Sequence, residues 1–268
     1  MARKINRRKR IQKAAEYADR WLMRKQRRHS NMILTSLRKL QRQIINELTR
    51  LETEGGNLVT AQLNLRNAQR IHRDIELLFA QQWEPEMQAM IQEFSQTVDM
   101  VIRQFGFLDE EWSGMTQEAL QILDSGAWRG FQGLSNTQKN KVIQAVYDQV
   151  IAGEEFSVLV HTIEQALLGS KATGVTGRPL AQYAQLYARD ALMKYHNEVS
   201  IAAAEELEME HYLYVGDIIK TTRDFCRRRA GKVYTKDHIQ SWTHRWTGKS
   251  GPAMTDRGGY NCRHHLQH

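Results

Sequence analysis

The sequence predicts a mainly α protein: an elongated helical body with a long N-terminal αα-hairpin, and a small loop-rich α+β module at the C-terminal end. Three observations predict it. Only 3 of the 268 residues are proline, so little interrupts long helices. Apolar residues recur at three- and four-residue steps over much of the chain from about residue 30 to Met209, the period of a helix with one buried face. Beyond Glu210 that period fails, and glycines, short polar runs and aromatic residues take over, as in turns and short strands.

Residues 1–29 open as a basic arm. Arg3, Lys4, Arg7, Arg8, Lys9 and Arg10 lie too close together for a free helix to tolerate their repulsion easily, which predicts a flexible segment. Residues 30–133 form a helical hairpin and bundle region. Ile33, Leu37, Leu40, Ile44, Leu48 and Leu51 make one helical stripe. Glu54-Gly55-Gly56-Asn57 interrupts it, because glycine readily takes the left-handed conformation that ends a helix. Leu58, Leu65, Ile71, Ile75 and Leu78 form the returning stripe. Trp83-Glu84-Pro85 predicts a break or kink, and Met87 to Phe105 a further helix. Asp109 is placed to cap the helix carrying Trp112 and Ile122. The run Ser125 to Gly133 reads as a structured loop.

Residues 134–210 form a second helical region. Ser135 to Gln138 has capping-box spacing, and short helices follow on either side of Gly153. Gly169 to Gly177 reads as a flexible connection. Leu180, Ala184, Tyr187, Ala191, Tyr195 and Ala202 then form the packed face of a long helix. The last region, 211–268, opens with a strand at His211 to Val215 and a turn at Gly216-Asp217.

The net charge of +8 hides its distribution. Residues 1–28 hold twelve Lys/Arg against Glu16 and Asp19, and residues 217–268 hold eleven against four Asp, which leaves −9 for the middle. Two basic ends on an acidic body predict polyanion contacts at the ends. The candidate DNA-binding residues are Arg3, Lys4, Arg7, Arg8, Lys9 and Arg10, with Arg227, Arg228 and Arg229. No apolar run approaches the roughly 18 residues of a membrane span. A basic start with no apolar stretch after it predicts a protein that stays in the cytoplasm where it is made.

Both cysteines, Cys226 and Cys262, and five of the ten histidines lie in the last 43 residues. Zinc takes four thiolate or imidazole ligands, and Cys226, Cys262 and His264 with His238, His244 or His265 offer candidates. Paired-ligand knuckles are missing, and three arginines follow Cys226. Buried free thiols are therefore the preferred reading, with zinc and a disulfide as alternatives. A thiol nucleophile at Cys226 beside Asp224, or a metal-dependent nuclease or toxin built on His238, His244, His264 and His265, has the residue types without diagnostic spacing. No catalytic residue and no required cofactor is assigned.

Thr222-Arg223-Asp224-Phe225-Cys226, then Gly231-Lys232-Val233-Tyr234, then Gly258-Gly259-Tyr260-Asn261-Cys262-Arg263-His264 resembles the C-terminal module of phage head-morphogenesis proteins of the MuF type. The resemblance spans residues 135–268. Its structural motif is carried by Arg223, Asp224, Cys226, Gly231, Asn261, Cys262, Arg263 and His264. Arg229 stands where such proteins often place the second Cys of a C-x-x-C pair, and His264 where the closing motif often has a Cys. His264 can replace a thiolate as a ligand, and Arg229 cannot. The resemblance implies a minor capsid protein of a tailed bacteriophage, present in multiple copies at the portal vertex or inner capsid surface. It would assemble in the host cytoplasm, contact portal or major capsid protein and packaged double-stranded DNA, and be a candidate for ejection with that DNA. A small nuclease or toxin module, or a DNA-binding protein outside the virion, is the alternative.

Overall fold

The computed structural model describes residues 2–106, 112–169, 179–242, 253–258, 262 and 264–267; of residues 2–8, 255 and 256 it describes the backbone alone. The chain is mainly helical, with a small C-terminal region of short antiparallel strands, as the sequence predicts.

Helix α1 (Ala2–Leu48) is 47 residues long, so the expected flexible arm is helical from residue 2. Ala14, Ala15, Ala18 and Leu22 are buried. They carry an apolar stripe into the basic segment, and their burial offsets the like-charge repulsion that favours a free coil. The chain then reverses through a two-residue-per-strand hairpin, β1 (Thr53–Glu54) and β2 (Asn57–Leu58), with Thr53 opposite Leu58. Gly55 and Gly56 both have positive φ, 59° and 89°, as the tight turn of a hairpin requires. The buried Asn64 side chain locks this turn. It accepts from Glu52 N and donates to the carbonyls of Glu52 and Val59, each at 2.8 Å.

From residue 62 to residue 106 the chain is helical throughout: α2 (Gln62–Leu78), a π-turn (Phe79–Trp83), α3 (Glu84–Gln92), a 3-10 turn (Glu93–Ser95) and α4 (Gln96–Gly106). The predicted break at Pro85 is instead the π-turn, which widens the helix where proline removes an N–H and crowds the preceding carbonyl. Asn64, Ala68, Ile71, Ile75, Phe79, Trp83 and Met87 line the buried face. Leu65 is exposed and Leu78 half-buried, off that stripe.

Helix α5 (Gln117–Ala152) runs 36 residues, straight through the predicted loop at Ser125 to Gly133 and the predicted cap at Ser135. The glycines there serve packing. A Cβ on Gly130 would lie 1.7 Å from the Tyr187 hydroxyl, which donates to Ala127 O at 3.2 Å. Ser135 is buried in mid-helix and accepts from Trp83 Nε1 at 2.7 Å. The helix starts one residue after Thr116, whose hydroxyl accepts from Ala119 N; the Asp109 cap lies outside the described residues. α6 (Phe156–Leu167) follows. The predicted connection to Gly177 lies outside the described residues from residue 170 on. Helix α7 (Leu180–Glu206) then begins, ahead of β3 (His211–Val215), α8 (Asp224–Arg229), β4 (Val233–Thr235), α9 (Lys236–Gln240), α10 (Ala253–Asp256) and β5 (His265–Gln267). The three strands form one antiparallel sheet in the order β4-β3-β5, with Tyr212 opposite Tyr234 and Tyr214 opposite Leu266.

Two compact units result, and they do not follow the predicted boundaries at 29, 133 and 210. One comprises residues 1–27, 92–125 and 188–268; the other comprises 28–91 and 126–187. Long helices cause the difference: α1 and α5 continue across a unit boundary where a flexible arm or a loop was expected, and the predicted helix α7 itself crosses from one unit to the other. In the first unit, α7 from Leu192 to Ala204 is buried on nearly every side, so this stretch is its central helix. Among the described residues no helix is long and apolar enough to cross a membrane.

Candidate metal centre

Strand β3 alternates, placing Tyr212 and Tyr214 in the core of the C-terminal module. Gly231, at φ +77°, turns the chain from α8 into β4, and its N–H donates to Tyr214 O at 2.8 Å. Helix α8 therefore lies against β3, with Phe225 and Cys226 turned inward and Arg227 and Arg228 outward. Arg223, just ahead of α8, donates from Nη1 to Gly258 O at 2.8 Å. That bond holds the terminal segment over the start of α8, and β5 pairs with β3 immediately after it.

This arrangement brings together Cys226, Cys262 and His264. Their ligand atoms all lie within 4.8 Å of one another. The two sulfurs are 3.7 Å apart, and Cys262 Sγ is 3.8 Å from His264 Nδ1. Two thiolates bound tetrahedrally at about 2.3 Å stand about 3.8 Å apart, and a thiolate and an imidazole about 3.6 Å apart. Two of the three spacings match those of ligands around an ion and the third lies within 4.8 Å, so the cluster could hold a metal. Gly258 closes one side: a Cβ there would fall 2.4 Å from Cys226 Sγ and 2.9 Å from Cys262 Sγ. The Tyr214 hydroxyl donates to Cys226 Sγ at 3.3 Å, and its ring stacks on His264 with centroids 5.3 Å apart. Stacking fixes the imidazole plane, and His264 Nε2 is buried with no hydrogen-bond partner among the described residues.

The two thiols share one proton. Cys262 is the one held ionised, well below the ordinary thiol range, by the hydrogen bond from Cys226 and those from His264. Cys226 is pushed far up, first by that same hydrogen bond, then by burial and the charge it would place beside Cys262. Burial likewise raises the Tyr214 phenol, so it stays a donor. A divalent cation would relieve this directly, since it stabilises both thiolates at once.

A second polar cluster lies behind the sheet, in the same unit. His265 Nδ1 is 3.4 Å from Asp19 Oδ1, and the His265 ring meets His196 edge-on at 5.3 Å. His196 contacts Asn197 and Ser200, each at 3.3 Å. Arg257, fully buried at φ +43°, sits close enough to help hold His196 neutral. Burial is the larger cause, and together they lower its pKa to about 3. Burial, with Asp217 nearby, raises Asp19 to about 6.

Of the residues singled out in the sequence, Cys226, Cys262 and His264 converge, and Arg223, Asp224 and Gly231 shape the segment that carries Cys226. Asn261, Arg263 and His244 lie outside the described residues. His238 is not in the cluster; it stacks on Tyr234 at 5.1 Å because the short helix α9, capped by Thr235, carries it to the outer side. Arg229, grouped with the DNA-binding residues, lies with its guanidinium 3.7 Å above the Phe225 ring and 4.7 Å from Trp242; packing claims it, whereas Arg227 and Arg228 remain exposed. Arg3, Lys4, Arg7 and Arg8 lie in α1, with Lys9 exposed and Arg10 half-buried. His264 and His265, on which a nuclease was one alternative, are 4% and 0% exposed. Sequence reasoning assigned no site role to Tyr214, Asp19, His196 or Arg257, and quoted Gly258 only as part of the resembling block. Alternation along β3 could have placed Tyr214 inward; nothing local marks an aspartate in a basic segment as a partner of the last strand.

No family model matches the chain, and neither a curated protein nor a solved structure shows significant similarity to it.

Proposed function

We propose that the chain is a minor head protein of a tailed bacteriophage, a structural component of the portal vertex or inner capsid surface. It is present in multiple copies, in contact with portal or major capsid protein and with packaged DNA, and a zinc ion staples its C-terminal module. One observation carries the reading. The two halves of the head-morphogenesis motif, 36 residues apart at Cys226 and Cys262, meet at a single buried point with His264 beside them. That convergence supports reading the separated parts as one motif. Two thiolates and an imidazole are a donor set suited to zinc, and three protein ligands leave the fourth position to water or another donor. The staple would join the end of the chain to α8 and β3.

Purified phage particles from the producing strain should contain this chain by mass spectrometry, at substoichiometric abundance relative to the major capsid protein. Its absence from particles that package DNA normally would overturn the head-protein reading. Elemental analysis of the purified chain should give about one zinc per chain. A metal-free protein that binds no added zinc would overturn the staple and leave the rest standing.

A further inference from the structure

The geometry points to the exposed face of the first half of α1 as a docking surface for the phosphate backbone of duplex DNA, built from Lys9, Lys13, Arg20, Arg24 and Arg27. All five are exposed. At about 100° per residue their directions fall within an arc of about 60°, spread over about 27 Å of helix axis. The opposite side of the same stretch buries Ala14, Ala15, Ala18 and Leu22, which fixes the basic face outward. Among the described residues none of the five is paired with a carboxylate. Glu16, the acid on that face, accepts a hydrogen bond from Gln12. Lys25, by contrast, turns aside to Glu93 and Gln96, so the unit has used the cation that structure needs and left these five over.

Chemistry selects the partner. Tyr17 and Trp21, the aromatic residues nearest the stripe, are both half-buried, so the face lacks the exposed stacking platforms of single-strand binders. Met23 is the exposed large apolar side chain on this stretch, too little for a helix that inserts in a lipid surface. A helix with cations along one side fits the wide major groove of B-DNA, with its cations on the flanking phosphates, whereas the deep, narrow major groove of duplex RNA would exclude it. Lysine and arginine against phosphate carry no base readout, so binding is independent of sequence. This surface rests on the head-protein reading only for the identity of the DNA in the particle; the binding itself stands on the helix.

The test uses the full chain with a random-sequence 30-base-pair DNA duplex, a matched single strand, a matched RNA duplex and vesicles containing phosphatidylserine. The DNA duplex should bind tightest, with log Kobs falling against log salt at a slope of about −4.5 or steeper. The variant Lys9→Gln/Lys13→Gln/Arg20→Gln/Arg24→Gln/Arg27→Gln keeps good helix formers at every site. With its helical circular dichroism unchanged, it should lose about 4.5 units of that slope. Arg227→Gln/Arg228→Gln should lose at most about two. A flat salt response, an unchanged slope in the five-fold variant, or preference for the single strand, the RNA or the vesicles would overturn the inference. If the five-fold variant unfolds, a peptide-independent readout decides: the salt dependence of lysine and arginine protection from chemical labelling in the wild-type chain on DNA, expected at these five positions and fatal to the proposal if absent there. A chain found in virions without the slope would sink this surface alone; a chain with the slope but absent from virions would sink the head-protein reading alone.

Discussion

A Cβ added at Gly258 would lie 2.4 Å from Cys226 Sγ, so Gly258→Ala must either spread the sulfurs or lift the segment that Arg223 holds down. Overpacking of this kind costs about 1–3 kcal/mol. It should lower the unfolding free energy from urea titration by that amount and weaken cobalt(II) binding, read from the thiolate-to-metal charge-transfer band. Cys262→Ser should cut the band to about half or less by removing one Co–S bond, and His264→Ala, which keeps both thiolates, should weaken cobalt affinity; a wild-type band in the first or a wild-type affinity in the second would show that the ligand set is wrong. The second cluster titrates with opposite signs at two residues. His196 is held at about 3 in the folded chain against 6.5 when free, so the unfolded state binds its proton first and stability falls as pH drops from about 6.5 toward 3. The full swing is on the order of 5 kcal/mol. Asp19, raised to about 6 from 3.8, works the other way: its folded form holds the proton longer, and stability falls as pH rises from about 4 to 6. Measured as variant minus wild type, the unfolding free energy of His196→Gln should therefore climb toward acid, and that of Asp19→Asn should climb toward neutral pH. Parallel curves would refute both assignments.

Among the elements, α5 shows where local signals mislead. Gly126, Gly130 and Gly133 read as a loop because glycine carries no side chain to declare what faces it. Their roles differ in the folded chain. Gly130→Ala would collide with the Tyr187 hydroxyl and should destabilise by about 1–3 kcal/mol. Gly126→Ala and Gly133→Ala meet nothing within 4 Å and should each stabilise by about 0.5–1 kcal/mol through helix propensity. Thermal unfolding of the three variants checks this, and equal effects at all three positions would restore the loop reading. Ser135 teaches the same lesson: its capping-box spacing is real, but a buried bond to Trp83 uses the hydroxyl instead. The stripes of α1 and the strand at 211–215 were legible, because periods of 3.6 and 2 are written in consecutive side chains. The π-turn before Pro85 was legible only as a disturbance, since which residue widens the turn depends on what packs beneath Phe79 and Trp83.

For the whole molecule, the consequence is that the C-terminal module is not cut off at residue 211. Ala204 belongs to its core, and Ile201 and Met209 pack against it, while the unit that contains it draws on residues 1–27 and 92–125 as well. An isolated 211–268 fragment should therefore stay unfolded, with a collapsed amide shift range in its proton–nitrogen spectrum. A dispersed spectrum would show the module to be autonomous. Composition and periodicity, being local properties, already dictate a mainly helical chain, a strand-containing module that closes it, and thiols and imidazoles concentrated there. Tertiary structure alone decided that Cys226 and Cys262 meet beside His264 while His238 does not, that Asp19 reaches His265, and that two units interleave along the chain. Those are matters of which distant segments share a core, and burial energy sums over contacts that no window of neighbouring residues contains.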